Sequence, residues 1–299
     1  MKKKSISIFA ISVIILISAC KRNRLDCPNC PKPDVKEFLS SKTKPIETFS
    51  IDASTGGNFT TLQGTYVTIP ANAFVDENNT PITGTVTINF KDIYKKSDML
   101  LNQMPTMFID NTPMNSGGEF YIKVTYNNAQ VNLSQGKQIR VKLAALSTIN
   151  TQMLPMSLSE EFAWNTNLSN GLSFDSTNYY FDLNSLDYTW YNADHPLYSD
   201  VPLTTIKASY TVSSADNFDQ NFVQSFIIFK DINGVISFSG QFNYAPLSVN
   251  CTIVGVSMDN EGDLYTAFTP ITISENMNLN IELIKTSEEK FISRLQSLD

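Results

Sequence analysis

Histidine is nearly absent, one residue in 299, and it stands beside only four cysteines and two tryptophans. A lone imidazole cannot build a multi-histidine metal centre or a histidine-rich pH sensor. Positive charge is also scarce: 22 Lys and Arg face 29 Asp and Glu, so the chain offers no field for nucleic-acid phosphates. Charged residues make up 17% and hydrophobic ones 42%, a balance that folds into a globule rather than a disordered or collagen-like chain. Long apolar runs are missing too. The longest, residues 6–17, is broken by Ser7 and Ser12 and falls short of the roughly 20 residues a membrane span takes.

What is present begins with an address. Lys2, Lys3 and Lys4 precede that apolar run, which reads as a signal-peptide core. The run ends in Leu16-Ile17-Ser18-Ala19-Cys20, which resembles the lipobox of bacterial lipoproteins. The resemblance implies a signal peptide over 1–19, cleavage before Cys20, and acyl chains on Cys20, making a membrane the first partner. An ordinary secretory signal cut after Ala19, leaving Cys20 as a free thiol, is the alternative. Loss of the three lysines takes the net charge from −7 to −10. Lys21 stands where retention in the inner membrane calls for aspartate, so the resemblance points to the outer membrane of a Gram-negative bacterium. The basic stretch Lys21-Arg22-Asn23-Arg24 departs from the acidic residues of surface-displayed lipoproteins, which points to the periplasmic face over the cell surface.

Residues 20–45 then read as a lipidated N-terminus and a tether, with prolines at 28, 31, 33 and 45. The tether carries Cys27-Pro28-Asn29-Cys30. A redox CxxC sits at a helix start, which these prolines do not supply, and residue 31 is proline where haem attachment needs histidine. A local disulfide between Cys27 and Cys30 ranks first in an oxidising envelope, and an intermolecular link second.

From 47 to 285 apolar residues alternate with Thr, Asn or Lys, as in 66–69, 85–90, 119–126, 139–143, 226–229 and 279–283. Period two with Asn, Asp and Gly turns between the runs predicts antiparallel sheet. The expected class is all-β: two consecutive β-sandwiches over 46–148 and 155–299, the second immunoglobulin-like or similar, with the seam where alternation lapses around Pro155. Only 96–102 and 287–298 predict helices. In the second, Ser287 caps, and Phe291, Ile292, Leu295 and Leu298 make one apolar stripe.

Gly56-Gly57, Val67 with Ile69-Pro70-Ala71-Asn72-Ala73-Phe74, Gly84 with Val86 and Ile88, and Ser116-Gly117-Gly118 with Phe120-Tyr121-Ile122 resemble the ZU5-like β-sandwich of bacterial envelope lipoproteins. The resemblance covers about 47–145 and implies an interaction or structural module. Some eukaryotic relatives cut themselves at a His-Phe-Ser triplet; here the sole histidine, His195, precedes proline.

Candidate chemistry is thin. Asp194-His195 evokes a Ser-His-Asp triad, but adjacent strand residues point to opposite faces and no Gly-x-Ser-x-Gly elbow exists. Met104 with Met107 and Met153 with Met156 have the spacing of soft copper ligands, yet read better as packing. Residues 259–263 concentrate carboxylates that a polar turn explains as well as Ca²⁺ does, and Asp175-Ser176-Thr177 resembles a bacterial O-glycosylation sequon. Tyr188, Trp190 and Tyr191 form the candidate glycan platform, with Tyr191 facing away from the other two. No catalytic residue, metal site or cofactor is nominated. The expectation is a lipid-anchored, non-catalytic binding or structural module whose partner is another envelope protein or a glycan; the alternatives are a glycan-binding lipoprotein and a hydrolase in the second domain.

Overall fold

The computed structural model describes residues 34–158, 164–167, 169–197, 201–212 and 222–299. The signal segment, Cys20, Cys27, Cys30 and the tether up to 33 lie outside the described residues. Strand dominates, and the sheets are almost wholly antiparallel, as the alternation predicts.

The first sandwich is built from β1 (Glu47–Asp52), β2 (Gly57–Thr60), β3 (Tyr66–Ile69), β4 (Phe74–Val75), β5 (Thr85–Ile93), β6 (Met114–Tyr126), β7 (Ala129–Gln130), β8 (Asn132–Leu133), β9 (Ile139–Ala144), β10 (Leu154–Leu158), β11 (Trp164–Thr166), β12 (Gly171–Phe174), β13 (Asn178–Leu183) and β14 (Trp190–Pro196). A wide sheet runs β1-β5-β6-β14-β10-β11, with β7 paired to β6, and a five-stranded sheet runs β12-β13-β9-β3-β2. The inward-facing residues of both sheets close on an aromatic stack. The Phe120 ring lies 5.4 Å from both Phe181 and Tyr191, and Phe90 stacks on Phe120 at 5.7 Å. Ordered aromatic pairs of this kind add to the area they bury. Pro70 ends β3, and Phe74 returns to the core fully buried.

This pairing corrects the expected division at 148–155. Strands β10 to β14 complete the first sandwich: β13 pairs with β9, and β14 inserts between β6 and β10. The lapse in alternation is a loop between two strands of one sandwich. Pro155 sits inside β10 opposite Ala193, where the short β11 has already ended, and its carbonyl accepts from the Asn167 N–H. Proline is tolerated at such a place because no ladder donor is needed there.

The second sandwich takes β15 (Leu203–Thr211), β16 (Gln224–Phe229), β17 (Val235–Phe238), β18 (Gln241–Pro246), β19 (Asn250–Met258), β20 (Leu264–Thr272), β21 (Met277–Glu282) and β22 (Ile284–Lys285). Its sheets run β18-β15-β21 and β17-β16-β19-β20-β22, and the β15–β21 pair is parallel. Ile227, Phe229, Ile236, Cys251, Ile253 and Ile281 fill the space between them.

A third apolar cluster joins the two sandwiches. Ile93, Met114, Met156 and Trp164 from the first meet Phe226, Ile228, Val235, Val254 and Val256 from the second. Helices α1 (Val35–Ser41), α2 (Lys96–Asn102) and α3 (Glu288–Gln296) close one side of this seam. α2 and α3 lie where the sequence predicts helices, with Ser287 capping α3 through the Lys290 N–H.

α1 corrects the tether expected to reach residue 45. Asp34 caps it by accepting the Lys36 N–H, and Val35, Phe38 and Leu39 bury one face against the seam. Gln103 reaches across to the Lys36 carbonyl, and Lys42 pairs with Glu288 on α3.

Candidate functional site

In β6 the alternation sends Phe120, Ile122 and Val124 into the first core and Glu119 to the opposite face, toward the seam. Strand β14 sends Tyr191 and Ala193 inward and Asn192 and Asp194 to that same opposite face. Glu119 and Asp194 are therefore neighbours on one face of the wide sheet, and both are fully buried. Register places Glu119 directly opposite Asn192 and Asp194 opposite Ser116, with Gly117 left over as a bulge beside the Ala193/Asp194 step.

The two carboxyls are held differently. Asp194 accepts from the Asn192 amide at 2.7 Å and from the His195 backbone N–H at 2.8 Å. Among the described residues neither carboxyl oxygen of Glu119 has a hydrogen-bond partner. Burial pushes the Glu119 carboxyl well above the ordinary carboxylate range, and the nearby Asp194 charge pushes it further. Burial also raises Asp194, against its two donors. Ser116 Oγ donates to Asn192 Oδ1 at 2.8 Å and so belongs to the same network.

The seam beside this pair is stitched by polar contacts. The Ser116 N–H donates to the Asn233 carbonyl at 3.0 Å, and the Asn233 amide donates to the carbonyls of Tyr94 and Ser116. The Thr106 N–H donates to the Val235 carbonyl and the Val235 N–H to the Thr106 hydroxyl, each at 2.8 Å, and the Lys96 ammonium donates to the Phe229 carbonyl at 3.0 Å. A Cβ at Gly234 would meet the Met114 carbonyl at 2.6 Å, so only glycine lets this turn approach.

At the α2 end of the seam lies an open groove of about 650 Å³, lined by Lys96, Lys230 and Asn250, by Cys251 and Pro270, and by the end of α3. Asp299 caps α2 here, accepting from the Ser97 N–H and hydroxyl at 2.8 Å. Burial lowers the Lys96 pKa, with Asp299 and Asp231 opposing.

The residues singled out from sequence divide. Tyr191 is a core residue, its hydroxyl donating to the Tyr188 carbonyl at 2.9 Å, so it leaves the aromatic platform. Trp190 is half-buried against Tyr121, 5.4 Å between rings, and Tyr188 is exposed. His195 forms no triad among the described residues: the Asp194 carboxylate takes its backbone N–H, and its Nδ1 finds no partner there. The methionine pairs face apart, as extended backbone requires: Met104 and Met156 lie in the seam, Met107 against the second core and Met153 against the first. Asp259 ties its own hairpin through the N–H groups of Glu261 and Asp263. Asp175 does the same at the β12–β13 turn, accepting from the Thr177 and Asn178 N–H groups. Among the described residues no group of three or more His, Cys, Asp or Glu side chains is placed to hold a metal ion.

Sequence reasoning missed Glu119. Its one signal is a carboxylate in the middle of a strand, on the face that a free-standing sandwich would present to water. No protein-family model matches the chain, and no curated protein matches it at a significant level.

Proposed function

We propose that the chain is a lipid-anchored protein of the bacterial outer membrane that works by binding or by structural interaction, without catalysis. The supporting observation is the docking of α1. The segment directly behind the tether buries Phe38 and Leu39 in the seam shared by both sandwiches, so an acyl anchor at Cys20 would hold a rigid body and not a loose chain. The lipobox-like Leu16-Ile17-Ser18-Ala19-Cys20 supports the anchor, and the ZU5-like pattern over 47–145 supports an interaction module. The carboxyl pair is fully buried, and a general acid must come within hydrogen-bond reach of its substrate. Aromatic recognition of a glycan would rest on Tyr188 and Trp190 alone.

Metabolic labelling with a fatty acid and membrane fractionation test the reading. The wild-type chain is expected to take up label and sediment with outer membranes, while Cys20→Ser takes up none and becomes soluble. A Cys20→Ser chain that stays membrane-bound overturns the anchor. Affinity capture from detergent-solubilised envelopes then tests for the partner.

A further inference from the structure

Directly opposite residues on neighbouring strands share a face, so Ile93, Glu119, Asn192 and Met156 make one row across the wide sheet. Ile93 and Met156 belong to the apolar seam. The carboxyl and amide between them therefore face the second sandwich, whose packed strands β16, β17 and β19 offer Phe226, Ile228, Val235, Val254 and Val256. None of these carries charge.

The other ionisable groups nearby are engaged or turned elsewhere. Tyr121 lies two residues along β6 and is partly exposed, and the pKa of the Lys91 ammonium opposite it is lowered chiefly by burial, with Asp98 opposing and Lys44 adding. Lys96 on α2 donates to the Phe229 carbonyl and is influenced by Asp299 and Asp231. The His195 imidazole makes no bond to Asp194. Asp194 is the charge that acts on Glu119. Two like charges cannot both persist in such a site, so a proton or a cation must compensate. A calcium ion takes roughly six to eight oxygen ligands, more than two carboxyls and one amide supply, and no group of three or more metal-ligating side chains lies among the described residues, which favours a proton as the compensating ion. It resides on Glu119, because Asp194 has two donors that its ionised form uses and Glu119 has none.

We propose that Glu119 and Asp194 form a proton-dependent latch between the two sandwiches, strongest where closed and open forms both hold the proton and weakened as rising pH lets opening release it. The network carries the effect to the seam. Asp194 is held by Asn192, Asn192 by Ser116, and the Ser116 backbone by Asn233 in the β16–β17 turn. In the open or unfolded chain both groups return to ordinary carboxylate behaviour, near pH 4 to about 4.5. Below that range both states are protonated and the latch is at full strength. Above it the closed state holds more protons than the open one, so the opening equilibrium rises up to tenfold per pH unit for each proton released.

Hydrogen exchange of the full chain between about pH 5 and 9, corrected for the intrinsic exchange rate, tests the latch. Protection in 114–126, 190–196 and 224–238 is expected to fall with pH in the wild type and to fall less steeply in Glu119→Gln, which keeps shape and removes one of the two titrating groups. A flat wild-type profile, or an unchanged slope in Glu119→Gln, overturns the proposal. Should that variant not fold, infrared spectra of the wild type at neutral pH decide. A carboxylic-acid carbonyl band that Asp194→Asn leaves in place supports a protonated Glu119, and its absence from the wild type overturns it.

Discussion

Gly56 has φ +67°, and a Cβ there would lie 2.4 Å from the Ile69 carbonyl oxygen and 2.6 Å from the Ala71 nitrogen. Both the backbone region and the space demand glycine. Gly56→Ala is expected to cost about 2 kcal/mol or more, read as a lower urea midpoint with unchanged slope. Cys251 gives a chemical prediction at the same scale. Burial pushes its thiol up to about 12, so the nucleophilic thiolate is scarce at neutral pH. In a chain whose Cys20, Cys27 and Cys30 are replaced by serine, Cys251 should resist alkylation at pH 8 until denaturant is added; prompt labelling of the folded chain would contradict this. Residue roles were legible where they depend on alternation alone, as with Phe120 and Tyr191 against Glu119 and Trp190. Which of two faces meets water is not a local property, and that is why Tyr191 read as a platform candidate and Glu119 was not singled out.

The three helices show how far local signals reach. α3 carries its own: a serine cap, acidic residues in the first turn and an apolar stripe. Its Phe291 lies 6.0 Å from both Phe38 and Phe268 and is fully buried, so Phe291→Ala should cost roughly 3–5 kcal/mol. Ser287→Ala should cost only about 1 kcal/mol, and thermal melts of the two variants would show the difference in scale. α1 has seven residues, too few to hold a helix in water alone. Its signals, the Asp34 cap and the spacing of Val35, Phe38 and Leu39, are overshadowed in the sequence by prolines at 33 and 45. The helix persists because Leu39 is fully buried in the seam, and Leu39→Ala should destabilise by roughly 2–5 kcal/mol. A surface-like change in the melting temperature, within a degree, would mean that α1 is not docked in solution.

At the scale of the molecule, the described residues form one compact unit although they contain two sandwiches. The shared cluster takes large apolar side chains from both, so separation would expose it to water. A chain begun at residue 34 should melt in a single transition, whereas fragments 34–197 and 201–299 expressed apart should aggregate or bind hydrophobic dyes. Two resolved transitions would show that the seam is weaker than its burial implies. The sequence by itself determined the all-β class, the direction in which each strand's side chains point, the positions of α2 and α3, and the lipobox-like N-terminal pattern, because each is written in residues within a few positions of one another. Only the tertiary structure decided that β13 and β14 join the first sandwich, that the outer face of the wide sheet is covered, and that Glu119 is buried beside Asp194. Those outcomes depend on pairings such as Glu119 with Asn192, more than seventy residues apart, and on a second sandwich arriving to exclude water. Local periodicity carries no record of either.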